Sequence, residues 1–185
     1  MSNKNYKLIL EEIKNTLARI PDKKSDELIE LISSSKRLFI AGAGRTGLMM
    51  KAFAIRLMQM GIKAHVVGET TTPAIKASDM LFIGSGSGET ESLIVMAGKA
   101  KEIGAKIALV SMSVDSTLGK IVDTVVEIPA KGSKSDINSL SDSAQPMCNL
   151  FEQSLLIYLD FLSMSLMDYK KIDRKILYEN HANLE

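Results

Sequence analysis

The sequence predicts an α/β fold, a three-layer αβα sandwich around a five-stranded parallel sheet with helical extensions at both ends. Three observations carry this expectation. Between residues 36 and 129, short apolar runs of strand length alternate with longer segments of helical pattern. The short runs are continuously apolar, as strands covered on both faces are. Two of them end in glycine-rich loops that lead straight into helices, which is how doubly wound sheets turn from strand to helix.

Residues 5–19 place Tyr6, Leu10, Ile13 and Leu17 at helical spacing, and after Pro21 and Asp22 a second helix is expected to about Ser34. "RLFIAGA" reads as a first strand and "TGLMMKAFAIRLMQMG" as a helix stopped by Gly61. "KAHVVGE" and "DMLFIGS" read as two more strands. "ETESLIVMAGKAKEIG" reads as a helix closed by Gly104 as its C-cap. "AKIALVSM" is a fourth strand, "STLGKIVD" a short helix and "TVVEIP" a fifth strand. The methionines of the 48–60 helix are read as core, because Met fills irregular gaps.

Residues 130–143, "AKGSKSDINSLSDS" with its neighbours, form a polar Ser-rich loop, either a solvated connection or a lid. Residues 144–185 hold C-terminal helices and a tail, with Pro146 expected at a helix start. In this last long helix Leu150, Phe151, Leu155, Leu156, Ile157, Tyr158, Leu159, Phe161 and Leu162 ring almost every face. One small sheet cannot cover all of them, so a subunit interface is expected. The whole chain, with helices over 1–35 and a core over 36–129, is read as one domain.

Composition narrows the function. A net charge of +1 gives no electrostatic footprint for nucleic acid or a membrane surface. There is no Trp to stack on bases. One Cys and two His fall short of the ligand set a zinc site uses, and no metal is expected. The opening "MSNKNYKLILEEIKN" is too polar for a signal peptide, and no uninterrupted run reaches the ~20 apolar residues of a membrane span. A soluble cytoplasmic protein is the expectation.

The two glycine loops carry the chemistry. "FIAGAGRTG" reads G-x-G-x-x-G, and Glu69 follows at about the distance at which a dinucleotide site places its ribose ligand. Against the nucleotide reading stands the second loop, "GSGSGETES". There Ser85, Ser87 and Thr90 supply hydroxyls, and Gly84, Gly86 and Gly88 allow close backbone approach. The next helix supplies free N–H groups and a positive dipole end, so the loop makes a phosphate cradle. A turn with a helix cap is the plainer reading, but one cap does not need three hydroxyls. A single phosphate held between both loops explains the pair, with Gly44, Arg45 and Thr46 closing the near side. Glu69 is then either a strand-end carboxylate or a ligand for sugar hydroxyls.

"SGSGET" after the third strand, with "GAGRTG" after the first, resembles the sugar isomerase (SIS) domain family. The likeness runs in order along essentially the whole chain through "AHVVGE", "QPMCNLFEQSLL" and "HANLE", and is nearest to the branch that isomerises hexulose 6-phosphates. It implies this five-stranded sandwich and a carbonyl shift between C3 and C2 of a hexulose 6-phosphate. It implies no metal or nucleotide cofactor, a homo-oligomer that is usually a tetramer, and a functional link to the synthase that makes the 3-hexulose 6-phosphate. Ser85, Ser87 and Thr90 would hold the phosphate with Thr46, where the family often has serine. The base would be Glu152 on the late helix, and His181 would come from a neighbouring subunit.

The residues support such chemistry on their own terms. Glu152 lies in an otherwise apolar helix, where desolvation makes a carboxylate a stronger base, although a first-turn glutamate also suits the helix dipole. His181 can move protons between sugar oxygens near neutral pH, or simply face solvent. His65 is read as a core or supporting residue. Other readings are a different phosphosugar isomerase, of the arabinose 5-phosphate or sedoheptulose 7-phosphate type, and a non-catalytic sugar-phosphate sensor.

Overall fold

The structure is a computed structural model and describes residues 4–130 and 143–184. Apart from its two end residues, the Ser-rich loop lies outside the described residues.

Two helices come first, α1 (Lys4–Leu17) and α2 (Asp22–Ser34). The alternating core follows: β1 (Leu38–Gly42), α3 (Gly44–Gln59), β2 (Ala64–Val66), β3 (Met80–Gly84), α4 (Glu91–Ile103), β4 (Lys106–Ser111), α5 (Thr117–Ile121) and β5 (Thr124–Glu127). The chain ends with α6 (Asn149–Lys170) and α7 (Arg174–Glu179). Gly104 closes α4 at φ 83, as its place in the sequence predicts.

All strands are parallel, in the order β2-β1-β3-β4-β5. The order reverses between β1 and β3, and that is where open α/β sheets bind ligands. Gly42, the last residue of β1, is registered against Gly84, the last of β3. Both glycine loops therefore leave the sheet side by side at its switch point.

The strands divide their side chains between two cores, as the period of two demands. Leu38, Ile40, Met80, Phe82, Ala108 and Val110 face α2, α3 and α6. Phe39, Ala41, Leu81, Ile83, Ile107 and Leu109 face α4 and α5. Full burial of residues such as Phe53, Phe82 and Leu57 contributes about 1.5–3 kcal/mol each. The methionine expectation holds for Met50 and Met60, which are buried, and not for Met58, which is exposed.

Pro146 does not start the last long helix. Met147 takes φ 57, so the chain turns there, and α6 begins at Asn149. Its start is held by Glu12 on α1, whose carboxylate accepts from Ser143 Oγ, the Ala144 N–H and Gln145 Nε2, each at 2.8 Å. At 22 residues α6 is long and apolar enough by composition to cross a membrane, although no uninterrupted apolar run in the sequence has that length. Its inner face, including Phe151, Leu155, Leu159 and Leu162, is core. Ile157, Phe161 and Met164, one stripe at helical spacing, are exposed in the single chain.

Candidate active site

The first loop is shaped by close backbone packing. A Cβ on Gly47 would lie 2.7 Å from the Gly42 carbonyl oxygen, so only glycine lets α3 start this near the strand end. The two loops also touch: a Cβ on Gly84 would meet Met50 Sδ at 2.7 Å and Thr46 Cγ2 at 3.2 Å. Thr46 is thus placed beside the root of the second loop.

In the second loop the three hydroxyls have different jobs. Ser85 is buried, and its Oγ accepts the Gly88 N–H at 3.2 Å and lies 3.5 Å from Thr90 Oγ1. Ser87 is exposed, and its Oγ accepts the Glu89 N–H at 3.2 Å. Thr90 is the N-cap of α4, yet its side chain makes no capping bond. The first N–H groups of a helix have no partner inside the helix. With the Thr90 hydroxyl, they are the kind of donor set that suits an anion.

Residues that the sequence reading passed over brace this cradle from β4 and α5. Ser111 Oγ donates to the Gly86 carbonyl at 3.2 Å, and the Met112 N–H donates to the same oxygen at 3.1 Å. The Leu118 N–H donates to the Gly88 carbonyl at 3.0 Å. Glu89 accepts the Thr117 N–H at 2.8 Å, and the hydrogen bonds from Thr117 hold its carboxyl below the usual carboxylate range. A signal for these residues exists in "VSMSVDSTLG", because serines at one strand end can reach the loop of the neighbouring strand. It becomes usable only once β4 is known to lie beside β3.

Glu152 arrives from α6. Its neighbour Phe151 is buried, and a Cβ on Gly86 would lie 3.3 Å from the Phe151 ring. The start of α6 therefore sits over the second loop. From there Glu152 Oε2 accepts a hydrogen bond from Arg45 Nε at 2.5 Å, with side-chain exposures of 12% for Glu152 and 59% for Arg45. The sequence reading set Glu152 among apolar neighbours and Arg45 beside the phosphate. The fold joins the two, so Glu152 is mostly desolvated but has a cation at hand.

Glu69 is half exposed and ion-paired with Lys51 at 2.9 Å, so the carboxylate a ribose would need is already engaged. His65 lies against Phe39, with ring centroids 5.4 Å apart and the rings tilted by 36°. Gly44 opens α3 with φ 56.

The structure does not bring His181 to Glu152 within one chain. Asn180 Nδ2 donates to the Gln59 carbonyl at 3.1 Å, which pins the tail to the last residue of α3. Arg45 is in the first turn of that helix, about 20 Å away at 1.5 Å per residue. The His181 side chain is exposed, with Nδ1 2.9 Å from the Ala182 carbonyl oxygen. Among the described residues no cluster of three or more His, Cys, Asp or Glu side chains is placed to hold a metal ion.

Two glycine loops at the switch point, with hydroxyls on the second and a carboxylate above it, place this chain in the class of doubly wound α/β proteins whose strand-end loops are shaped to receive an anionic ligand. Residues 31–160 match the SIS domain model, and the chain belongs to that family. A curated relative from Bacillus subtilis (strain 168), named 3-hexulose-6-phosphate isomerase, is 44% identical over 96% of this chain and 95% of its own length. A protein of the same name from Mycobacterium gastri is 40% identical, over 98% of this chain and 90% of its own. A crystal structure from Methanococcus jannaschii, of a hypothetical protein inferred to be a 3-hexulose-6-phosphate isomerase, superposes with a TM-score of 0.84. It is 32% identical and covers 98% of this chain and 99% of that one.

Proposed function

We propose that the chain interconverts D-arabino-3-hexulose 6-phosphate and D-fructose 6-phosphate through a 2,3-enediolate. One observation carries the reading: a largely desolvated carboxylate, Glu152, stands over paired glycine loops at the switch point of the sheet. The shared name of full-length relatives at 44% and 40% identity supports the choice of substrate.

In this mechanism Ser87, Thr90, Thr46 and the N–H groups that begin α4 hold the phosphate. Ser85, Gly86 and Gly88 shape the cradle around it. Glu152 takes the proton from C2, the electrons of the broken C–H bond form the C2=C3 double bond, and the carbonyl pair moves onto O3. Glu152 then returns the proton to C3, and a proton passes between the two oxygens. His181 from a neighbouring copy serves that transfer, and opens the fructose 6-phosphate ring in the reverse direction. In the 3-ketose the C6 oxygen carries the phosphate, so no five-membered ring closes on C3. No step calls for a cofactor or a metal. The working form is a homo-oligomer, a tetramer in this reading, of single-domain chains in the cytoplasm. It acts on the product of 3-hexulose-6-phosphate synthase in formaldehyde assimilation by the ribulose monophosphate route.

The test is a coupled assay with formaldehyde, ribulose 5-phosphate and a hexulose-phosphate synthase, following fructose 6-phosphate. Product that forms only when the protein is added supports the reading. Soluble, folded protein that yields none refutes it. Glu152→Gln should abolish turnover while still binding fructose 6-phosphate, and wild-type turnover in that variant removes Glu152 as the base.

A further inference from the structure

The Arg45–Glu152 pair is too lopsided to be a stability device. An ion pair whose arginine is 59% exposed gains little in water. Yet the bond joins the first turn of α3 to the first turn of α6, two helices brought together at the same glycine loops. The donor is Nε–H. Neither Nη group of Arg45 has a hydrogen bond to any described residue.

We propose that Arg45 is the positioning residue of the base: its Nε–H holds Oε2 of Glu152, and this aims Oε1 at the reacting carbons of the sugar. The inference rests on Glu152 being the base. A free carboxylate rotates about its last side-chain bond and presents either oxygen in many directions. With Oε2 held, one oxygen and one set of lone pairs remain for the C2 proton. The same oxygen must then deliver that proton to C3 without letting it escape, so a fixed orientation serves both halves of the reaction. Through both halves Oε2 stays an acceptor for Nε–H, because the proton travels on Oε1. The C2–H bond breaks, Oε1–H forms, and then Oε1–H breaks as C3–H forms, so atoms and charges balance with no further reactant.

The guanidinium is suited to this in a way an ammonium is not. It is planar, with donors in a fixed fork, so a contact through Nε also fixes where both Nη groups point. Gly44, at φ 56 immediately before Arg45, sets the direction in which the chain enters α3 and with it the root of the arginine side chain.

The experiment compares kcat and KM for Arg45→Ala, Arg45→Lys and Glu152→Gln with fructose 6-phosphate as substrate. Circular dichroism and the thermal midpoint monitor the fold, and Arg45→Met, which keeps an aliphatic stem, replaces Arg45→Ala should that variant fail to fold. Loss of orientation should lower kcat of Arg45→Ala by about 100-fold while KM moves much less. Added guanidinium ion, kept below denaturing concentration, should restore part of kcat, while methylammonium should not. Arg45→Lys should stay impaired, since it returns the charge without the Nε geometry. A rise in KM with unchanged kcat makes Arg45 a plain phosphate ligand and overturns the inference. So does equal rescue by methylammonium. If Glu152→Gln is inactive and Arg45→Ala keeps its kcat, the positioning role alone falls. If Glu152→Gln turns over normally, the base assignment falls first.

Discussion

The side-chain amide of Asn180 donates to the backbone carbonyl of Gln59, and this bond decides where His181 lies. It holds the tail at the end of α3 remote from Arg45. In the proposed mechanism a histidine so placed would meet Glu152 across a boundary between copies. Mixing inactive Glu152→Gln and His181→Ala chains under conditions of subunit exchange should therefore regenerate activity. Random pairing across a symmetric interface gives roughly a quarter of the wild-type sites. Mixtures that stay inactive at every ratio, with exchange verified by mass spectrometry, would count against a shared site.

Gly88 cannot carry a side chain. Its φ is 68, and an added Cβ would lie 2.2 Å from Ser116 Oγ. Gly88→Ala must distort the loop or displace the start of α5, at a cost of about 1–3 kcal/mol. If this loop cradles the phosphate as proposed, affinity for fructose 6-phosphate should fall with stability. Calorimetric titration and thermal melts check the two effects separately. Native affinity in Gly88→Ala would show that the loop does not cradle the phosphate.

The two serines of the second loop should respond differently. Ser87 is exposed, so Ser87→Ala should weaken phosphosugar binding by about 1–3 kcal/mol and leave the melting temperature alone. Ser85 is buried, and its Oγ accepts the Gly88 N–H. Ser85→Ala should therefore lower stability as well as affinity. Identical behaviour of the two variants would contradict this division.

Asp79 offers a test by pH. Its carboxylate is fully buried and accepts from Arg37 Nε at 3.1 Å, Arg37 Nη2 at 2.6 Å and the Lys76 N–H at 2.8 Å. The hydrogen bonds from Arg37 hold its carboxyl below the usual 3.8. A carboxylate depressed in the folded state stabilises it fully above the unfolded value, and that stabilisation is lost as pH falls through the folded one. Asp79→Asn should lower stability by about 1.5–3 kcal/mol near neutral pH, the loss of a charge-assisted hydrogen bond to a part-exposed guanidinium. The gap to wild type in urea unfolding should persist down to about pH 4 and narrow below it. A gap that stays constant into strong acid would remove the ion pair as its cause.

How far the sequence could be read depended on the range of the interaction. Gly104 as a C-cap and the unbroken apolar strands β1, β3 and β4 are local consequences of backbone freedom and burial, and they hold in the structure, while the edge strands β2 and β5 are only partly covered. The start of α6 differs from the sequence expectation because Pro146 is permissive rather than decisive, and Met147 at φ 57 turns the chain first. The glycine loops could be recognised because their chemistry lies within a few consecutive residues. The different uses of Ser85, Ser87 and Thr90 could not, since burial sorts them and burial comes from β4 and α6.

From the sequence alone came the strand-helix alternation and the reading of the second loop as a phosphate cradle, while Glu152 entered as the base through the family resemblance. Periodicity, glycine placement and hydroxyl density are properties of contiguous residues, so no folded context is needed to see them. Only the tertiary structure set Gly42 opposite Gly84, joined Arg45 to Glu152 across 107 positions of sequence and carried His181 away from both. Contacts of that separation depend on strand order and helix packing, which the whole chain settles together and no local segment encodes.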